Sequence, residues 1–254
     1  MNFAKYEINK NGFNSYREFK PTENNFEVAL IGDSFIEGLH QNYHNSIGSK
    51  IENNLENKVS VFEYGFSGYD LADQLHLIQQ YDDDMAVIDL IVIYLNFSND
   101  VKRDEYEPDQ GRAAIDGNPL FKIKREVKLL SYMHGIGLLD PIINPILNRE
   151  NQGAEKQASN GESQNLEKEY LENFKNLIQK YPIDKDKTIF LIDQSKTSML
   201  FTQFCDDNEI KYLDFGDELN QSNRRTTLVF DKHWNNHGRN IIASVISDFI
   251  HKRL

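Results

Sequence analysis

With 254 residues, 39% hydrophobic and 27% charged, the chain has an ordinary globular composition and enough length for one sizeable core, so a single domain over 1–254 is expected. A formal net charge of -12 argues against a nucleic-acid partner, because phosphate binding needs clustered Lys and Arg to displace counterions. The single cysteine, Cys205, excludes an intramolecular disulfide and fits either a reducing or an oxidising compartment.

From the N-terminus, residues 1–25 form an irregular extension before the first periodic element. Strand-like apolar runs then alternate with helical patterns: 26–31, helix 46–55; 59–64, helix 71–80; 90–95. Between them, Asp82-Asp83-Asp84 lacks the spaced ligands of a calcium loop and reads as a solvated acidic turn. The pattern lapses over 102–165, an insertion with a charged start, an apolar island at 129–147 and a polar stretch that reads as a mobile loop. Following the third strand, this insertion is a candidate lid or substrate wall, or a plain surface excursion.

After the insertion come a helix over 166–180, a strand over 188–192, a helix through 199–207, a strand over 210–213 and a last helix over 236–252. Ile241, Ile242, Val245, Ile246, Phe249 and Ile250 give the last helix one apolar stripe, whose docking would fix the loop before it. Strand and helix alternation of this kind predicts an α/β fold, a parallel sheet covered on both faces. No run reaches the roughly 18 apolar residues of a membrane span, and Met1-Asn2-Phe3-Ala4-Lys5 lacks a signal-peptide core. On its face the chain reads as cytoplasmic, although one trimmed of a leader or anchor for the periplasm or exterior would read the same way.

Four segments carry candidate chemistry. Gly32-Asp33-Ser34-Phe35 places a serine at the end of the first strand, where open α/β sheets keep their sites. Serine is a weak nucleophile and needs a base, a carboxylate to orient that base, and donors for an oxyanion. Asp231-Lys232-His233-Trp234-Asn235 supplies acid and imidazole, while Gly65-Phe66-Ser67-Gly68 and Asn96-Phe97-Ser98-Asn99-Asp100 follow the second and third strands. Each has a plainer reading, since Asp and Ser also cap helices and glycine also turns chains. His233 and His237 are four apart, but no glutamate follows the first and no third ligand is evident, so no metal is expected.

Taken together and in order, these segments resemble the four signature blocks of the SGNH, or GDSL-type, serine hydrolases. The resemblance implies a flavodoxin-like three-layer α/β/α sandwich with a five-stranded parallel sheet in the order 2-1-3-4-5. It implies Ser34 as nucleophile, His233 as base and Asp231 as its orienting acid, with Ser34 N–H, Gly68 N–H and the Asn99 amide as oxyanion donors and Asn96 as the fallback amide. Asp33 is then a structural hydrogen-bond partner. Two positions depart from the common pattern: one residue, Lys232, separates acid and histidine, and Phe97 stands where relatives carry glycine.

The Asp-x-His-Trp form occurs in polysaccharide-modifying branches, which implies a glycan or other small ester as substrate and no cofactor. Phe35, Tyr69, Phe97 and Trp234 are candidate sugar-binding aromatics, or core residues. Three functions remain open at this level: a short-acyl esterase, an O-acyltransferase with the same Ser-His-Asp site, and a non-catalytic glycan-binding or assembly module, for which the bulk of Phe97 is the favouring feature.

Overall fold

The computed structural model describes residues 4–22, 24–108, 160–229 and 231–254. The chain divides into two units, residues 1–106 with 164–254, and 107–163. The first carries the sheet and every candidate site residue. Residues 109–159, most of the expected insertion and its lid, lie outside the described residues.

Strands β1 (Phe26–Gly32), β2 (Val59–Gly65), β3 (Leu90–Tyr94), β4 (Thr188–Ile192) and β5 (Lys211–Asp214) form one parallel sheet in the order β2-β1-β3-β4-β5. Because both faces are covered, the strands read as continuous apolar runs, and alternate residues serve opposite cores. Val28, Leu30, Val61, Val92 and Leu191 face one core; Ala29, Ile31, Tyr64, Ile93 and Phe190 face the other. Helices α2 (Ile47–Asn54) and α9 (Asn236–His251) cover the first face, with Ile47, Ile51, Ile242, Ile246 and Ile250 wholly buried. Helices α3 (Leu71–Gln80), α6 (Asn160–Lys180) and α7 (Met199–Asp207) cover the second through Leu71, Leu75, Phe174, Leu177 and Phe201. Cys205 is buried within α7.

Two elements differ from the sequence expectation, and the N-terminal extension can now be placed. Asp82–Asp84 open a short helix, α4 (Asp82–Val87), rather than a turn; carboxylates at a helix N-terminus meet the positive end of its dipole. Helix α6 begins six residues before the expected 166, in polar sequence with no apolar stripe to announce it. Residues 4–22 pack on the sheet, with Phe13 and Phe19 buried against Tyr64 at ring distances of 5.4 and 4.3 Å. Among the described residues, no helix is long and apolar enough to cross a membrane.

Candidate active site

In register, Gly32 at the end of β1 pairs with Gly65 at the end of β2. A Cβ on Gly65 would stand 2.2 Å from the Glu37 backbone nitrogen, so the glycine lets helix α1 (Ser34–Glu37) lie directly on the strand end. Asp33 caps that helix, its Oδ1 accepting the Phe35 N–H at 2.8 Å. Ser34 is the first helical residue. Gly38 ends the helix in the left-handed region, at φ 78°, over the buried guanidinium of Arg239.

His233 arrives from the loop before α9. Trp234 pins that loop, its ring 4.7, 5.1 and 5.3 Å from those of Phe35, Tyr94 and Phe215. Asn235 caps α9 by accepting the N–H groups of His237 and Gly238, and its own amide donates to the Arg225 and Thr227 carbonyls. The loop is therefore tied to the body at His233's immediate neighbours.

His233 Nε2 lies 2.7 Å from Ser34 Oγ, and its Nδ1 lies 2.8 Å from Asp231 Oδ1. The same Oδ1 accepts the His233 backbone N–H at 2.5 Å. This assigns the proton to Nδ1, leaving Nε2 as the acceptor for the serine hydroxyl. Burial opposes ionisation of Asp231, but the two His233 donors and electrostatic attraction from the His233 and His40 rings outweigh it and hold the carboxyl below its usual range. Asp33 is the opposite case: desolvation pushes it up to about 6 despite the Phe35 N–H and nearby His233.

Loops after β2 and β3 flank the end of β1 because those strands are its two neighbours in the sheet. On the first, Gly68 adopts φ 80°, and Tyr69 N–H donates to the Phe66 carbonyl at 3.1 Å. This is the arrangement of a type II turn. Among the described residues, neither the Ser34 nor the Gly68 backbone N–H donates to a protein acceptor. On the second loop, in α5 (Phe97–Asp100), Asn99 Oδ1 accepts from Lys102 Nζ at 2.9 Å, which leaves its amide NH2 as a donor. Asn96, the fallback amide, likewise has its side-chain oxygen bound, by the Ser98 hydroxyl at 3.1 Å.

Of the two readings open for the candidate aromatics, sugar platform and core residue, burial favours the core for two. Trp234 is 5% exposed and Phe97 2%, so neither presents a ring face to solvent. Phe97 turns into the core against Phe201, at 4.8 Å, and its bulk is accommodated there. Phe35 and Tyr69 are half-buried, the Phe35 ring 4.6 Å from that of His233 and tilted 35° to it. His237 joins no metal cluster among the described residues; its Nε2 meets Ser222 Oγ at 2.9 Å. No local sequence pattern marks Glu37 or His40 as a partner of the site, although Glu37 lies three residues past Ser34, one helical turn on.

The lipase/acylhydrolase from Enterococcus faecalis superposes with a TM-score of 0.51 at 12% identity, covering 90% of this chain and 96% of that one. TesA gives 0.52 at 11% identity, with coverage of 90% and 99%. The two share this chain's fold, a three-layer α/β/α sandwich. No family model and no curated protein sequence matches the chain.

Proposed function

We propose that the protein is a serine ester hydrolase working through an acyl-enzyme. The observation that carries this reading is the continuous hydrogen-bonded chain from Ser34 Oγ through His233 to Asp231. Ser34 Oγ attacks the ester carbonyl carbon while His233 Nε2 takes the hydroxyl proton, and Asp231 stabilises the imidazolium that results. The carbonyl oxygen, now negative, is received by the Ser34 and Gly68 N–H groups and the Asn99 amide. His233 returns the proton to the departing alkoxide, and a water molecule activated by the same histidine releases the acid and restores the serine.

A short acyl group, such as acetyl, on a carbohydrate is the substrate class carried with this reading. It rests mainly on the Asp231-Lys232-His233-Trp234 block, since Trp234 and Phe97 are buried and only the half-buried Phe35 and Tyr69 remain as candidate sugar-binding rings.

The test is turnover of an aryl acetate, with intact mass after treatment with a serine-reactive phosphonate, for wild type and Ser34→Ala in parallel. Turnover and a single adduct, both lost in the variant, are expected. Full activity in the variant, or neither signal from folded wild type, would overturn the proposal.

A further inference from the structure

We infer that Glu37 is the positioning residue of the oxyanion loop, a role that rests on the ester-hydrolase reading. Glu37 is the last residue of α1, the helix that begins with Ser34. Its Oε2 accepts the Ser67 backbone N–H at 2.7 Å and also the Ser67 hydroxyl, a second and very short contact. One carboxylate oxygen thus joins the nucleophile's helix to the residue before Gly68.

The consequence lies in the turn. Ser67 and Gly68 are the central residues of the turn closed by Tyr69 N–H on the Phe66 carbonyl, and the peptide between them carries the Gly68 N–H. Types I and II of such a turn differ by roughly half a rotation of that central peptide. One orientation presents the Gly68 N–H on one side of the loop, the other on the opposite side. By holding the Ser67 N–H and hydroxyl, Glu37 anchors the residue from which that central peptide departs, in the form observed, with Gly68 at φ 80°.

Both ends of the link are rigid. The Glu37 backbone rests against Gly65, its N–H donates to the Asp33 carbonyl at 3.0 Å, and its carbonyl accepts the Asn14 amide at 2.8 Å. On the loop side, Phe66 N–H donates to the Gly32 carbonyl at 3.1 Å. Glu37 is therefore a side-chain link between the nucleophile's helix and the loop of the oxyanion donor, beside the backbone link from Phe66 to Gly32.

The experiment combines kinetics of Glu37→Ala, Glu37→Gln and the Glu37→Ala/Ser67→Ala double variant with hydrogen exchange at the Ser67 amide. Misplacement of an oxyanion donor should lower kcat about 100-fold in Glu37→Ala with little change in KM. Glu37→Gln, which keeps an acceptor oxygen, should recover most of the loss, and adding Ser67→Ala to Glu37→Ala should cost little more. Ser67 exchange should be slow in wild type and fast in Glu37→Ala at equal melting temperature. Wild-type kcat in Glu37→Ala, or a loss shared by kcat and melting temperature that Gln does not rescue, overturns the role. If wild type neither turns over nor forms an adduct, the hydrolase reading falls; the exchange result then decides separately whether the link orders the turn.

Discussion

His40 Nε2 stands 3.5 Å from Asp231 Oδ2, the carboxylate oxygen that His233 leaves unused. The acid of the proposed triad is thus shared by two histidines, one bound closely and one at the limit of an ion pair. His40 holds a left-handed backbone, at φ 62°, with its N–H donating to the Tyr6 hydroxyl at 2.8 Å. Such a conformation is uncommon outside glycine. With its side chain 43% exposed, the contact is screened, and exposed pairs contribute about 0.2–1 kcal/mol. His40→Ala should therefore lower kcat by less than about fivefold, whereas Asp231→Ala, which removes the orienting acid, should cost on the order of 10⁴-fold. Equal losses in the two variants would show that His40 does more than bias the acid.

Asp33 makes stability depend on pH. Burial raises its pKa in the folded chain to about 6, against an ordinary value of 3.8. Folding therefore takes up a proton between those values, and the stabilisation is complete below about pH 4 and lost as pH rises through about 6. Asn caps helices as well as Asp and does not titrate. Asp33→Asn should match wild type near pH 4 and become more stable by about 1–3 kcal/mol above pH 6.5. Melting temperatures of both proteins across pH 4–8 check this, and a constant difference would refute it.

Gly65→Ala tests the seat of α1. The added carbon would meet the Glu37 nitrogen at 2.2 Å and the Ile36 carbonyl carbon at 2.6 Å, both backbone atoms that no rotamer change can move. A loss of about 1–3 kcal/mol, the usual cost of overpacking, is expected, together with a fall in kcat because Ser34 rides on the displaced helix. Denaturant unfolding and ester turnover measure the two effects.

Asn99→Ala removes one proposed oxyanion donor while its exposed position leaves the core untouched. kcat should drop about 10²- to 10³-fold with KM nearly constant. A change confined to KM would move Asn99 from the oxyanion to ordinary substrate contact.

What sequence conveyed and what it withheld follow from the range of the forces involved. Strand positions were legible because burial on two faces leaves unbroken apolar runs such as Val28-Ala29-Leu30-Ile31; the sheet order came through resemblance, since periodicity is silent on neighbours. Ser34, Asp231 and His233 could be proposed as partners only because each sits in a short local pattern. Trp234 and Phe97 were ambiguous because an aromatic ring in a loop reveals its burial only through distant partners, here Tyr94, Phe215 and Phe201. Glu37 escaped notice for the same reason: its partner, Ser67, lies 30 residues away.

Ser34 and His233 are separated by 199 residues, and the second is held by the loop that α9 closes. At translation rates of about 5–20 residues per second, a nascent chain carries its serine for roughly 10–40 s before the histidine is made. During that interval the hydroxyl lacks its proposed base, and the sheet lacks the helix that covers α2, contacted in the finished fold through Asn54 and Ser247. Under the proposed mechanism, reactivity toward esters would therefore begin only after the loop that carries His233 has been made and α9 has closed it.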